Sequence, residues 1–239
     1  MRAILCGANG AMGKLIDGIL GEECVGRVSI DGENGVPKTF AELGKVEADV
    51  IIDFSHHSAI ADVLAYAKEI NTAVVVGTTG HTQEEKALID AASKEIPVFF
   101  AGNVSMGIAV LCRLVKQAAS YFPDADIEIV ETHHTRKVDA PSGTALMLFN
   151  AVKEVRPQAV ANCGRSGEGK RTKDEIGIHA LRLGNVVGVH EVHIHTGNQS
   201  LTLKHESGSR AMLADGAVAA AHFMVGKPKG LYNMEDILG

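Results

Sequence analysis

Five short apolar runs, separated by stretches with helical periodicity, constrain the fold of the first hundred residues more than any other feature. Each run is apolar at nearly every position, which is typical of strands buried on both faces of a parallel sheet. Helices between such strands cover the two faces, so the pattern predicts an α/β domain. The predicted strands are Ala3–Cys6, Val28–Ile30, Asp49–Asp53, Ala73–Val76 and Pro97–Phe100. The predicted helices are Met12–Leu20, Ile60–Ile70 and Gln83–Lys94.

The pattern changes after residue 103, which predicts a second domain. A long helix is expected at Met106–Tyr121, a half-buried strand at Asp126–Thr132 and a helix at Leu146–Val155. Residues Cys163–Glu175 are rich in glycine and charge and predict a loop. A last helix, Ala211–Val225, could complete either domain. Alternating segments predict antiparallel strands at Ile176–Leu183, Val186–His195 and Ser200–Glu206.

The composition excludes several classes of protein. With 46% hydrophobic residues in 239, the chain can bury substantial cores. A formal net charge of −6 argues against nucleic acid as a partner. The four cysteines show no C-x-x-C spacing, which favours a reducing compartment. No apolar run approaches the ~18–20 residues that span a bilayer, and the N-terminus lacks a secretory pattern. We therefore expect a cytoplasmic protein without a membrane partner.

A glycine-rich loop joins the first predicted strand to the first predicted helix. Its pattern, G-x-x-G-x-x-G, is related to the dinucleotide-binding fingerprint. Glycine lets the backbone approach a pyrophosphate, and the helix N-terminus stabilises the negative charge. The pattern therefore predicts a Rossmann-type domain that binds a nicotinamide dinucleotide, although a glycine-rich turn without a ligand is the alternative. The expected cofactor-binding residues of the loop are Gly7, Ala8, Asn9, Gly10, Ala11 and Met12.

Asp31, expected at the end of the second strand, bears on the choice of cofactor. A carboxylate at this place accepts hydrogen bonds from ribose hydroxyls and repels the 2′-phosphate of NADP. The following residue is Gly32 and not a cation. We therefore predict NADH as the favoured cofactor, with NADPH left open through Lys38 or His56.

Two later strand ends are predicted to contribute to the same site. In an open α/β sheet, ligands bind outside the carboxyl ends of the strands. The fourth and fifth predicted strands are followed by short polar or small-residue segments at this edge. The residues expected to contact the ribose and nicotinamide are Gly77, Thr78, Thr79, Ala101, Gly102, Asn103 and Val104.

Two adjacent histidines, His133 and His134, precede Lys137 and a helix-start pattern. An imidazole exchanges protons near neutral pH. Ser142 is a predicted helix cap, and the unpaired amides after it can bind a carboxylate. Lys137 is close in sequence, and Asp139 could orient it. The segment predicts a catalytic site for a small acidic substrate, against the alternative of a polar surface loop with solvated histidines.

The remaining histidines and cations carry weaker predictions. His193 and His195 alternate on a strand and could form a metal pair, but no third ligand is evident. We expect these two, with His179, His190 and His205, to be mainly structural or interface residues. A basic loop could cover an acidic substrate, although such clusters are more often solvated surface. Its cations are Arg165, Lys170, Arg171 and Lys173.

The chain resembles the 4-hydroxy-tetrahydrodipicolinate reductase (dihydrodipicolinate reductase) family of lysine and diaminopimelate biosynthesis. The most specific similarity is the segment from His133 to Ala145, which reads HHTRKVDAPSGTA. The match extends along the whole chain. Other matching segments are Gly7 to Met12, Asp53 to Ser55, Gly77 to Thr79, Ala101 to Gly107, Ile176 to Arg182 and Gly230 to Gly239.

The resemblance implies roles for these residues. His133 would be the proton donor, and Lys137 would assist protonation and hold a carboxylate. His134 and the helix start at Ser142, Gly143 and Thr144 would bind the two substrate carboxylates. Residues 1–104, completed by 212–239, would form the Rossmann domain that binds NADH or NADPH. Residues 105–211 would form an α+β domain with an open mixed sheet that holds substrate and assembles a homotetramer.

Two positions depart from the family pattern. Asp31 is not followed by the arginine found in NADP-binding members, and Gly102 stands where proline or alanine is frequent.

Three other functions remain alternatives. They are another nicotinamide-dependent dehydrogenase, a dinucleotide-binding redox sensor, and a metal hydrolase that uses His193, His195 and His205. A sensor would usually carry a basic DNA-binding module, which the sequence does not show.

Overall fold

The computed structural model describes residues 1–239 and contains eleven strands and eight α-helices. The strands are β1 Ala3–Cys6, β2 Cys24–Val28, β3 Val50–Asp53, β4 Ala73–Val76, β5 Pro97–Phe100, β6 Asp126–His133, β7 Val160–Cys163, β8 Glu175–Arg182, β9 Gly188–His195, β10 Ser200–Ser207 and β11 Gly230–Tyr232. The helices are α1 Ala11–Leu20, α2 Phe40–Leu43, α3 Ile60–Glu69, α4 Gln83–Ala92, α5 Met106–Tyr121, α6 Gly143–Val155, α7 Ala211–Met224 and α8 Met234–Leu238.

The chain divides into two compact units. Unit 1 comprises Met1–Met106 and Ala211–Gly239, and unit 2 comprises Gly107–Arg210. The boundaries expected from the sequence, 104/105 and 211/212, lie within two residues of these. No helix in the structure combines the length and apolarity needed to cross a bilayer.

Unit 1 is built on a six-stranded parallel sheet in the order β11-β5-β4-β3-β1-β2. The predicted Rossmann-like parallel sheet is therefore confirmed. Ile51 and Val74 belong to the core cluster that includes Ile60 and Val63 of α3. Helix α7 contacts β3, β4 and β5, so the C-terminal segment packs with the first hundred residues. Strands β1, β3 and β4 are buried at every position, which explains why their sequences are almost continuously apolar.

Unit 2 contains a five-stranded mixed sheet in the order β10-β9-β6-β8-β7. Strand β6 lies at its centre, parallel to β8 and antiparallel to β9. Ile127 and Ile129 of β6 are fully buried in a core cluster with Val115 of α5 and with Leu148 and Val152 of α6. Residues of β6 alternate between buried and half-exposed positions, and the buried row continues to Glu131 and His133. The predicted α+β unit with a mixed sheet is confirmed.

Several sequence-based element assignments were wrong in detail. Strand β2 is Cys24–Val28 rather than Val28–Ile30, because Gly26, over the Ile4 side chain, and Arg27, paired with Asp17, conceal the strand in the apolar pattern. Asp31 consequently lies in a turn beyond the strand and does not end it.

In the second half, strand β7 begins before the predicted loop and ends at its first residue. Strand β8 is parallel to both its neighbours and not antiparallel. Strand β11 was not predicted, because three residues carry little periodicity; its place is fixed by pairing with β5. In each case the deciding information is the partner strand, which local sequence does not contain.

Candidate functional site

The glycine loop of unit 1 is packed too closely for side chains. Gly7 has φ +80°, and a Cβ there would lie 2.3 Å from the carbonyl oxygen of Phe54. A Cβ on Gly13 would lie 2.1 Å from the carbonyl oxygen of Gly7. Helix α1 follows with Gly10 at its N-cap and no side-chain cap. The first amides of α1 therefore face no capping side chain, and this arrangement fits the phosphates of a dinucleotide.

Asp31 lies beside this loop. Its Oδ1 accepts hydrogen bonds from Asn9 Nδ2 at 2.5 Å and from the amide of Glu33 at 3.1 Å. The hydrogen bond from Asn9, followed by that from the Glu33 amide, lowers the pKa of Asp31, so the group is an anion at neutral pH. A cavity of about 990 Å³ is lined by Gly7, Gly10 and Asp31, among others of unit 1. Its volume is that of a small-molecule or cofactor site.

The ends of β3 and β4 form a tightly packed edge. Gly77 lies against the ring of Phe54, where a Cβ would come within 2.2 Å of a ring carbon. Thr78 is buried, and its hydroxyl donates to Asp53 Oδ2 at 2.8 Å. Burial raises the pKa of Asp53, while hydrogen bonds from Ser55 and Thr78 oppose that rise. The Thr78 side chain thus braces the edge, and Thr79 follows it on the exposed side.

The segment after β5 closes the same edge. Ala101 and Asn103 are half-buried and Gly102 is exposed. Asn103 Oδ1 accepts from the amide of Ser105 at 2.8 Å, next to the start of α5. The carbonyl of Val104 occupies the space where Gly216 of α7 lacks a side chain. These contacts fix the backbone at a place where no regular element holds it.

In unit 2, a buried cluster surrounds His133. Glu131 is fully buried, and its Oε2 is in ion-pair contact with His133 Nδ1. Glu131 Oε1 accepts from the amide of Ser142 at 3.0 Å and from Arg182 Nη2 at 3.1 Å. The ring of His190 meets that of His133 edge-on, with centroids 5.1 Å apart. One carboxylate therefore joins β6, β8 and the start of α6.

The two buried imidazoles differ in their electrostatic surroundings. Burial lowers the pKa of His133; the Glu131 carboxylate opposes this effect, while the charges of Lys137 and Arg182 add to it. Burial, followed by the charge of His133, lowers the pKa of His190 to about 4. His190 is consequently neutral at physiological pH, and His133 is the ring that the Glu131 carboxylate contacts directly.

His134 and Lys137 lie in a region of positive charge. Lys137 Nζ binds both carboxylate oxygens of Asp139, at 2.7 and 2.8 Å, as the sequence indicated. Desolvation and then the charges of Arg136, Arg210, Lys137 and Arg182 lower the pKa of His134. Accumulated cations attract an anionic ligand.

Ser142 caps helix α6, as predicted. Its Oγ accepts from the amide of Ala145 at 3.2 Å and lies 3.2 Å from His190 Nε2. The residue is 2% exposed. Its side chain is therefore engaged inside unit 2, while Gly143 is exposed and Thr144 half-buried in the first turn.

His193, His195 and the basic loop lie away from this cluster. His193 Nδ1 and His195 Nδ1 are within hydrogen-bond distance of the hydroxyls of Thr202 and Ser200, respectively. The basic loop binds carboxylates of its own unit. Its ion pairs are Arg165 with Glu128 and Glu175, Arg171 with Asp126 and Glu128, and Lys173 with Asp124. Within the cluster itself, one carboxylate oxygen or ring nitrogen from each of Glu131, His133 and His190 lies within 4.8 Å of the others.

Two family models match the two halves of the chain. The one described as dihydrodipicolinate reductase, N-terminus, matches residues 1–104, and the one described as dihydrodipicolinate reductase, C-terminus, matches residues 107–238. The chain belongs to the dihydrodipicolinate reductase family. This family comprises pyridine-nucleotide-dependent reductases with a Rossmann fold.

Individual relatives agree with this assignment. Two proteins named 4-hydroxy-tetrahydrodipicolinate reductase are similar over nearly their whole length. That of Caldanaerobacter subterraneus subsp. tengcongensis is 43% identical, with 100% of this chain and 98% of the relative covered. That of Clostridium novyi is 41% identical, with 99% and 98% covered. A dipicolinate-bound dihydrodipicolinate reductase from Paenisporosarcina sp. TG-14 has the same fold, with a TM-score of 0.77, 24% identity and 99% of each chain covered.

The sequence reasoning missed several members of the His133 cluster. Glu131 and Arg182 received no role, and His190 was expected to be mainly structural. A usable signal was present, since Glu131 stands in the inward-facing row of β6 after Ile127 and Ile129. A carboxylate in a buried row must be paired. Arg210 was missed too, because it contributes to the surroundings of His134 from far along the chain.

Proposed function

We propose that this chain catalyses the pyridine-nucleotide-dependent reduction of 4-hydroxy-tetrahydrodipicolinate to tetrahydrodipicolinate in lysine and diaminopimelate biosynthesis. The observation that carries the proposal is the match of both halves of the chain to dihydrodipicolinate reductase models. Relatives about 40% identical bear the name of this reductase. The paired imidazole and carboxylate of unit 2 supply the acid–base chemistry that such a reduction needs.

Unit 1 binds the dinucleotide in this proposal. When bound, the nicotinamide supplies the hydride. The close-packed glycines and the uncapped start of α1 support a pyrophosphate site at Gly7 to Met12. Thr79, Ala101, Gly102 and Asn103 would contact the ribose and nicotinamide, while Gly77, Thr78 and Val104 hold that edge in shape.

Unit 2 binds the substrate and delivers the proton. His133 would donate from Nε2 to the electron-rich carbon of the substrate, because its Nδ1 faces Glu131. Lys137 now pairs with Asp139 and would exchange it for a substrate carboxylate. His134 would bind the same anionic groups of the substrate. Gly143 and Thr144 would bind the second carboxylate at the start of α6, with Ser142 as the helix cap.

NADH is the proposed preferred cofactor. The anionic Asp31 is held toward the loop by Asn9, and its charge would repel the 2′-phosphate of NADPH. Lys38 is the competing influence, because its side chain lies over Gly32, where a Cβ would meet Lys38 Cε at 2.4 Å. We expect kcat/KM to be higher with NADH; a preference for NADPH above about tenfold would contradict the assignment.

The decisive experiment measures turnover and ligand coupling in the same preparation. Purified protein should oxidise NADH only when the cyclic dicarboxylate substrate is supplied. Pyridine-2,6-dicarboxylate should raise Tm alone, and raise it further with NADH. At a hundred times Kd, a ligand stabilises the folded state by about 2.7 kcal/mol. A protein that binds NADH but neither turns over nor responds to the dicarboxylate would instead be a redox sensor or another dehydrogenase.

The proposed assembly rests on the resemblance to the family, and the proposed location on the cysteines. We propose a homotetramer formed through the sheet of unit 2, where Leu181 is 46% exposed on the face opposite His133. Size-exclusion chromatography with light scattering would give four chain masses. A cytoplasmic location is proposed from the four free cysteines.

A further inference from the structure

We propose that Glu131 is a positioning residue of the reductase, which holds His133 by Nδ1 and so commits Nε2 to the substrate. This inference rests on the proposed function for its meaning in turnover. The geometric part of the inference concerns only the His133 ring and the Glu131 carboxylate. This part can be tested without the reaction, by the titration of His133.

The first argument is the way the carboxylate is fixed. Glu131 cannot swing to solvent, because it is 0% exposed and its Oε1 is bound by the Ser142 amide and by Arg182 Nη2. The amide belongs to the start of α6 and the guanidinium to β8, so two separate elements hold one oxygen. The remaining oxygen, Oε2, is in ion-pair contact with His133 Nδ1. A carboxylate held at both ends fixes the orientation of the ring.

The second argument is the register of the sheet. Glu131 and His133 are two residues apart on β6 and therefore share a face. Arg182 is the partner of His133 on β8, and His190 is the partner of Glu131 on β9. The four side chains are placed by backbone pairing, which gives the cluster a rigid frame.

The third argument is the space left at Nε2. A Cβ on Gly188 would lie 3.2 Å from His133 Nε2. The absence of a side chain at Gly188 leaves this nitrogen uncrowded, while Nδ1 is taken by Glu131. In the neutral ring the proton therefore resides on Nδ1, and in the charged ring Nε2–H is the bond that breaks when the proton moves to substrate carbon.

The fourth argument is the balance of charge around His133. The groups that face it are Glu131 on its own strand, Arg182 on β8, neutral His190 on β9 and Lys137 in the following loop. Glu131 is the single anion among them. Without it, burial and two cations would all disfavour the imidazolium that donates the proton.

The experiment compares Glu131→Gln, Glu131→Asp and Glu128→Gln. Glu128 is a matched control, because it also lies on β6 and pairs with a histidine, His179 Nε2 at 2.8 Å, and with two arginines, but on the other face. The His133 titration is followed by NMR of ring-labelled protein, with its signal assigned by its loss in His133→Gln.

Glu131→Gln should lower the pKa of His133. Glu131→Asp keeps the negative charge and should therefore lower this pKa less. In the reductase assay, kcat of Glu131→Gln should fall about tenfold or more with a smaller change in KM. The pH above which kcat declines should move downward. Glu128→Gln should leave both the titration and the kcat profile unchanged.

The outcomes separate this inference from the proposed function. If the wild-type enzyme reduces the substrate but the His133 titration is the same in Glu131→Gln, Glu131 is only an ion-pair partner of Arg182 and the inference is overturned. If the His133 titration shifts in Glu131→Gln but the wild-type protein does not reduce the substrate, the positioning role stands and the proposed function fails. Should Glu131→Gln not fold, ring ¹⁵N shifts of the wild type decide. A neutral His133 with its proton on Nδ1 supports the inference, and one with it on Nε2 overturns it.

Discussion

At the scale of single residues, the chemistry proposed for unit 2 depends on which imidazole can carry a proton. His133 and His190 are both buried, at 9% and 3% exposure, and their rings are in contact. Only His133 has the Glu131 carboxylate against its Nδ1. Burial alone would favour the neutral form of both rings. The position of one carboxylate therefore favours the protonated form of His133 more than that of His190.

Replacing His133 tests its proposed role directly. We expect His133→Gln to lower kcat by about 100-fold or more with a modest change in KM, because the donor is removed and the carboxylate-binding groups remain. Lys137→Ala should instead lower kcat and raise KM, since Lys137 would both bind a substrate carboxylate and assist protonation. Steady-state kinetics with NADH measures this, and near-normal turnover of His133→Gln would refute the assignment.

His190 should make the protein sensitive to acid. Its pKa is about 4 in the folded chain, against an ordinary value of 6.5, so between these pH values the unfolded state binds a proton that the folded state does not. Stability therefore falls as pH decreases from 6.5 toward 4, by about 3 kcal/mol in total from this residue. Urea unfolding of the wild type and of His190→Gln across this range measures the effect. Equal pH dependence in the two proteins would contradict it.

At the scale of elements, the candidate functional groups lie where strands and helices end. The glycine loop joins β1 to α1, Gly77 to Thr79 follow β4, and His133 is the last residue of β6. The sequence located these ends well where apolar runs were continuous. It failed at β2, where Gly26 and Arg27 interrupt the apolar pattern, and at β7, where pairing with β8 decides the strand.

Two glycines of α1 provide a matched pair for testing the dinucleotide site. Gly13→Ala should weaken NADH binding by at least about tenfold, because its Cβ would overlap the carbonyl oxygens of Gly7 and Ala8. Gly18→Ala is the control, since nothing lies within 4 Å of its Cβ. It should leave binding intact and stabilise the helix by about 0.5–1 kcal/mol. Calorimetric titration with NADH measures both, and equal affinities would exclude the loop as the site.

At the scale of the whole molecule, the chain leaves unit 1, forms unit 2, and returns. Helix α7 brings buried residues such as Ala217 and Met224 to unit 1, and β11 pairs with β5. Each unit has its own core cluster. The first sheet is therefore incomplete without residues that follow the second one.

Truncation tests this dependence. A chain that ends at Arg210 should lose cooperative unfolding of unit 1 and binding of NADH, because α7 would no longer cover β3, β4 and β5. A chain in which a flexible linker joins Met106 to Ala211 keeps the complete unit 1 and should retain both properties. Circular dichroism and NADH titration compare them. Retention of NADH binding by the truncated chain would show that α7 is dispensable.

The sequence by itself determined the parallel sheet of unit 1 and the helix start at Ser142, because each is encoded by periodicity or by residues close together in the chain. The roles proposed for His133 and Lys137 rest on the resemblance to the reductase family. Tertiary structure decided what the cluster around His133 contains. Glu131, Ser142, Arg182 and His190 come from different elements, and they meet because β8 and β9 pair on either side of β6. Strand pairing is a long-range interaction, so no local pattern could have assembled that set.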